Sequence, residues 1–339
     1  MITIALDAMG SDHAPRAEVE GAVLAAREYE DVRILLVGLE DKIRPELDRL
    51  RHRDLPIELV SATDVVAMTD SPSHAFRRKK DSSLHVAARL VRDGKADALV
   101  SAGNTGAVMT VARFVLGTLS SVDRPALAWA FPNVKERVSI MLDVGANVDS
   151  KPLHLEQFAV MGEIYYRALW GAKKPRIALL SIGEEDVKGN ELTREAAALL
   201  KQSGLNFVGN VEGRDVFRGN VDVVVCDGFV GNIALKLSEG LVEHIGGMLK
   251  KAIKSSLRSQ LGYALSKKAF DAFRKRTDYS EYGGAPLLGV RGVTIIGHGR
   301  SNANAVKNAV RVAAELCRTR MNEKIEQELS AAAAVPARG

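Results

Sequence analysis

Residues 96–107 read ADALVSAGNTGA, an apolar run cut off by a loop of small and polar residues, and a helical pattern starts at about Val108. The run does not alternate with polar residues, so both its faces are buried, as in a strand inside a parallel sheet. The same sentence recurs along the chain. ITIALD (2–7) leads into AMGSDHAP (8–15) and a helix from about Arg16, and VRILLVG fills 32–38. VSIMLD (138–143) leads into VGANVDS, and RIALLSI (176–182) into GEEDVKGN and a helix from about Glu191. VDVVVC (221–226) leads into DGFVGN and a helix from about Ile233. VTIIG (293–297) leads into HGRSN and one long helix from Ala303 to about Glu328. Strands alternating with helices predict an α/β fold, a doubly wound, mostly parallel sheet. Ligands of such sheets bind beyond the carboxyl ends of the strands, so these loops are expected along one rim. Turn chemistry accounts for any single loop; five with polar side chains point to a binding site.

The chain has 339 residues, 46% apolar and 26% charged, ordinary for a globular protein with a sizeable core. A single α/β domain is expected over 1–330, with 331–339 (AAAAVPARG) a flexible tail. Cys226 and Cys317 form no CxxC pair and no disulfide framework, which fits a reducing compartment. No signal segment is visible, and no run reaches the roughly 18 apolar residues of a membrane span. Residues 241–276 break the rhythm: they carry no strand signal, and Gly262 is expected as the turn of a helical hairpin. The hairpin holds Lys250, Lys251, Lys254, Arg258, Lys267, Lys268, Arg274, Lys275 and Arg276 against Glu243 and Asp271. Its excess of seven cations exceeds the net charge of +5, so the remainder is slightly acidic. Leu257 and Leu261 lie on an apolar stripe beside this charge, suited to lipid, a partner helix or the core. Nucleic acid is not expected as a partner.

In SAGNTGA, Gly103 and Gly106 let the backbone approach a ligand, and Asn104 and Thr105 add hydrogen-bonding groups at a helix start. DGFVGN repeats the layout: Gly228 and Gly231 free the backbone, Asn232 is an N-cap or a ligand donor, and Lys236 follows one turn later. Lys188 stands in an acidic loop before a helix, as an oxyanion partner or a solvated charge. Asp7, Asp143 and Asp227 end strands and could together hold a magnesium ion. They cap turns equally well, and no HExxH or EF-hand motif appears, so no metal is expected to be required. There is no GxSxG elbow, no papain-like cysteine, no P-loop and no GxGxxG after the first strand. Anion cradles without a protein nucleophile suggest a substrate that attacks on its own account, such as phosphate.

DAMGSDHAP, RRKKDSS, SAGNTGAVMT, DRPALA, LDVGANVDSKPLHL, GEEDVKGNE, DGFVGNIALK, YGGAPLLG and HGRSNANAV occur in that order across nearly the whole chain. Together they closely resemble the phosphate acyltransferases of bacterial phospholipid synthesis. The resemblance implies a three-layer, Rossmann-like α/β/α fold related to phosphate acetyltransferases and isocitrate dehydrogenases. It implies conversion of acyl-[acyl carrier protein] and inorganic phosphate into acyl phosphate, by a cytoplasmic homodimer associated peripherally with an anionic membrane. On matching positions, Lys188 and Asn232 would bind phosphate or polarise the thioester carbonyl. Asn104, Thr105 and Gly106 would cradle phosphate, with Asp7, Gly10 and Asp12 on the rim. Asp143, Asn147, Asp227, Gly228 and His298 would complete the set. Lys250, Lys254, Leu257, Arg258 and Leu261 would meet the carrier or the membrane. Ser11 stands where the family's first motif has glycine, a strain if that position needs positive φ, and Pro286 stands at a variable position. His74, His85 and His154 read as surface residues. Two other functions fit the same loops: a short-chain phosphate acyltransferase using coenzyme A, and a non-catalytic regulator that binds carrier protein or membrane.

Overall fold

The computed structural model describes residues 1–277 and 279–334, the side chains at 274–279 and 332–334 apart. Its strands are β1 (Ile2–Asp7), β2 (Val32–Gly38), β3 (Ile57–Ser61), β4 (Ala98–Ser101), β5 (Ala126–Pro132), β6 (Val138–Leu142), β7 (Ile177–Leu180), β8 (Phe207–Val211), β9 (Val223–Val225), β10 (Ala285–Leu288) and β11 (Val293–Ile296). The helices are α1 (Arg16–Glu28), α2 (Glu40–Asp48), α3 (Pro72–Arg78), α4 (Ser83–Arg92), α5 (Thr105–Val111), α6 (Pro152–Trp170), α7 (Glu191–Gln202), α8 (Gly228–Lys254), α9 (Leu257–Leu265), α10 (Lys267–Thr277), α11 (Ala303–Arg318) and α12 (Met321–Ala334). A π-helical turn, Ala112–Leu116, prolongs α5.

Each apolar run of the recurring pattern became a strand, and all eleven strands join one sheet in the order β3-β2-β1-β4-β11-β10-β5-β6-β9-β7-β8. Successive side chains of a strand face opposite ways, which divides the interior in two. Ile4, Leu6, Val100, Ile140 and Val223 pack under α1, α6, α11 and α12. Ala5, Leu99, Met141 and Val224 pack under α4, α5 and the π turn. That is the expected three-layer α/β/α sandwich.

One expectation is overturned. β10 runs antiparallel to β11 and to β5, and β5 antiparallel to β6, while the other seven pairings are parallel. The β6-β9-β7-β8 half therefore points opposite to the β3-β2-β1-β4-β11 half. The loops do not share a rim; they divide between two carboxyl edges, one for each half.

Helix α8 joins those edges. It begins five residues earlier than expected because Asp227, not Asn232, is the N-cap: its carboxylate accepts the Val230 N–H at 3.0 Å. The helix then runs 27 residues, about 40 Å. Only Gly228, Gly231 and Leu235 are buried; beyond them it projects with Leu241, Ile245 and Met248 exposed. The expected hairpin turn at Gly262 is corrected: Gly262 lies inside α9, and the chain bends at Ser255–Ser256, where the Ser256 hydroxyl caps α9. The expected long C-terminal helix is two helices, parted where Arg320 adopts φ +52°. Helix α12 continues to Ala334, and 335–339 of the expected tail lie outside the described residues.

Candidate functional site

Two polar clusters are linked through α8. The first is built on β1, β4 and β11. Asp7 ends β1 buried, and its carboxylate accepts from the Ser101 hydroxyl at 2.7 Å and the Met9 N–H at 3.2 Å. Burial pushes the Asp7 pKa up, and hydrogen bonds from Ser83, Ser101 and Met9 oppose that push. Ser101 in turn accepts the Gly103 N–H at 3.2 Å. A Cβ on Gly10 would lie 2.7 Å from the Gly103 nitrogen, so the loops after β1 and β4 meet backbone to backbone. Asp12 donates its N–H to the Gly299 carbonyl at 2.8 Å, joining the loop after β11.

Asn104 does a different job from the one expected of it. Its side-chain oxygen caps α5 through the Ala107 N–H at 3.0 Å, and its amide donates to the carbonyls of Met68 and Asp70 at 2.8 and 3.1 Å. The side chain thus holds the loop to residues 68–70 and caps α5, while Thr105 and Gly106 open the first turn of that helix. His298 is half-buried; burial lowers its pKa, against the pull of Glu239. Ser11 carries none of the strain considered above: no positive φ occurs there. Its N–H donates to Glu18 at 3.0 Å, and Glu18 is buried, with its pKa raised to about 7 chiefly by burial.

The second cluster is built on β6, β9 and β7. Asp143 is fully buried, and its carboxylate accepts the N–H groups of Leu127, Gly145, Ala146 and Asn147 and the Asn147 amide, at 2.7–3.0 Å. It therefore shapes the 143–147 turn from inside. Gly228 donates its N–H to the Asn147 carbonyl at 2.9 Å, fastening α8 to that turn. Asn232 lies exposed on the first turns of α8, its side chain against Gly145, and makes no side-chain hydrogen bond among the described residues. Lys188 is exposed on the neighbouring loop after β7, with no carboxylate in ion-pair range among the described residues. Cys226 is buried, its thiol pKa pushed well up by burial.

Helix α8 connects the clusters. Asn232, Lys236, Glu239 and Glu243 follow one another at three- and four-residue steps along one face. Lys236 pairs with Glu239 at 2.8 Å, both act on His298, and Arg300 pairs with Glu243 at 3.1 Å. The rise from Asn232 to Glu239 is about 11 Å. Asp7, Asp143 and Asp227 do not converge, and among the described residues no three His, Cys, Asp or Glu side chains group as metal ligands. Of the histidines read as surface residues, His74 is exposed, but His85 and His154 are buried. The loop-holding groups Ser83, Ser101 and Glu18 were not singled out from the sequence. Only the DSS of RRKKDSS hinted at one of them.

The model of a family described as fatty acid synthesis protein matches residues 2–324. A phosphate acyltransferase of Koribacter versatilis is 58% identical over 337 residues, 98% of this chain and 94% of the relative. The chain belongs to the phosphate acyltransferase family. A second phosphate acyltransferase, of Citrifermentans bemidjiense, is 56% identical over 96% of this chain and 92% of its own length. As a phosphate acyltransferase the protein is a transferase, and the expectation of a non-catalytic regulator falls. The fold has solved counterparts: a phosphotransacetylase from Streptococcus pyogenes at TM-score 0.62, 16% identity and 94% coverage of each chain, and another from Staphylococcus aureus at 0.58, 18% identity, with 93% of this chain and 94% of that one covered.

Proposed function

We propose that the enzyme transfers a fatty acyl group from the thioester of acyl carrier protein to inorganic phosphate, giving acyl phosphate and free carrier protein for phospholipid synthesis. One observation carries the reading: among the described residues Asn232 makes no side-chain hydrogen bond and Lys188 no ion pair, both being exposed beside polar loops, while the thiol of Cys226 is buried and its pKa pushed up rather than activated. Phosphate dianion, abundant near neutrality, seats on the first cluster over Thr105 and Gly106 and attacks the thioester carbon. As the P–O–C bond forms, negative charge gathers on the carbonyl oxygen, where Lys188 and Asn232 stabilise it. The C–S bond then breaks, and the thiolate takes a proton from solvent. Positioning and electrostatics suffice, because phosphate brings its own electron pair. Asp7 and Asp143 hold the two loops from within. No metal ion or other cofactor enters the scheme. The basic arm formed by the end of α8 with α9 and α10 serves as the peripheral attachment to an anionic membrane, through Lys250, Lys254 and Arg258 and the exposed Leu257 and Leu261. No described helix is long and apolar enough to cross a membrane. The protein is cytoplasmic and works as a homodimer.

A second reading, a short-chain transferase using coenzyme A, draws support from the phosphotransacetylase fold. Phosphate-dependent thioester cleavage with matched carrier-protein and coenzyme A esters separates the two. The first reading expects a preference for the carrier ester of at least about tenfold in kcat/KM, from added binding energy outside the reacting centre. Equal use of both would favour the second.

A further inference from the structure

We propose that the face formed by α3 and the π-helical turn is the docking surface for the acidic acyl carrier protein, distinct from the basic arm. The inference rests on the carrier-dependent reading above. Phe76 of α3 packs on Phe114 of the π turn with ring centroids 5.0 Å apart, tying the two elements together. Phe114 nonetheless stays 63% exposed, and the Arg113 guanidinium lies 5.8 Å over its ring. Exposed Arg77, Arg78 and Lys80 follow Phe76 in the chain, and exposed Arg291 donates its N–H to the Gly117 carbonyl at the end of the π turn. The nearby acids are already answered: Asp70 by Lys79 at 2.7 Å and Asp81 by Arg89 at 3.3 Å. Arg77, Arg78, Lys80, Arg113 and Arg291 have no ion pair among the described residues. Cations around an exposed aromatic make a surface that attracts and then anchors an acidic protein.

This face also adjoins the phosphate loop. The Asn104 amide binds the Met68 and Asp70 carbonyls just before α3, and a Cβ on Gly106 would lie 2.8 Å from the Pro72 ring that opens α3. Thr105 to Phe114 is nine residues of continuous helix, about 14 Å of rise. A carrier seated on Phe114 therefore delivers its flexible thioester arm along α5 to the loop at Thr105.

The experiment compares Arg77→Glu/Arg78→Glu and Arg113→Glu with a Lys250→Glu/Lys254→Glu control on the arm. Each is assayed with acyl-carrier thioester and with a truncated acyl-pantetheine thioester. KM for the carrier ester is expected to rise at least about tenfold in the first two variants with kcat kept, an effect that shrinks in high salt. The truncated donor and the arm control should keep wild-type KM. In the first two variants, an unchanged carrier KM, an equal rise for the truncated donor, lost self-association on sedimentation or lost binding to anionic vesicles would overturn the assignment, as would a raised carrier KM in the arm control. Wild-type enzyme that ignores carrier esters but cleaves coenzyme A esters would instead sink the donor reading itself.

Discussion

Gly231 shows how tightly the candidate site depends on one backbone contact. It sits in the first turn of α8, and a Cβ added there would lie 1.8 Å from the Asp143 carbonyl oxygen and 2.9 Å from its carbon. Ordinary contact begins at 3.4 Å, so Gly231→Ala must part α8 from the 143–147 turn by about 1.6 Å, because the obstructing atoms are main chain and cannot rotate away. Overpacking of this kind costs about 1–3 kcal/mol, a Tm loss of about 2–10 °C for a chain of this size. The larger consequence is functional. The adjacent Asn232 moves with the helix, and a displacement of about 1 Å costs on the order of a hundredfold in rate. Phosphate-dependent thiol release, measured beside a thermal melt, should show kcat down about a hundredfold while most of the protein stays folded at 25 °C. Wild-type kcat with an unchanged Tm would refute both the packing argument and the role given to Asn232.

Lys188→Ala should lower kcat by about tenfold to a hundredfold, the scale of a lost electrostatic donor, with no change in Tm because Lys188 is exposed; near-normal turnover removes it from the mechanism. Glu18 supplies a pH test. Its folded pKa of about 7 lies above the ordinary carboxyl value of 4.5, so the folded state holds the proton more tightly than the unfolded one. Its contribution is complete below about pH 4.5 and is lost as pH rises through about 7, by up to about 3 kcal/mol. Glu18→Gln should flatten Tm against pH over that window, and a variant with the wild-type slope would exonerate the carboxyl. Leu257 is 85% exposed on α9, and Leu257→Glu should abolish sedimentation with anionic vesicles without altering turnover in solution. Undiminished vesicle binding would end the membrane role of the arm.

Much of this was legible in the sequence because buried strands and glycine-rich helix starts are local signals. ADALV, VSIMLD and VDVVVC each became a strand beneath a polar loop. The strands missed were β3 and β8, half-exposed at the sheet edges, and β5 and β10, whose antiparallel pairing reverses the second half. That reversal is a matter of tertiary topology, which no window of sequence records. Asn232 reads from the sequence as an N-cap or a ligand donor, whereas Asp227 is the cap and Gly228 and Gly231 let α8 pack against the 143–147 turn. Asn104 and Asp143 carry the residue types of a binding site, yet their hydrogen bonds are spent on the chain itself: Asn104 on the Ala107 N–H and the Met68 and Asp70 carbonyls, Asp143 on the 145–147 turn and the Leu127 N–H. Ser256 rather than Gly262 ends the arm's first helix, since a serine that caps the next helix breaks a chain more decisively than one glycine inside it.

Direct attack by phosphate is tested most plainly by mixing enzyme with radiolabelled acyl-carrier thioester in a rapid-quench instrument, first without phosphate and then with it. The account predicts no release of carrier thiol and no label on the protein until phosphate is added, then thiol and acyl phosphate in equal amounts. A stoichiometric burst of thiol before phosphate, with the acyl group bound to the chain, would contradict it.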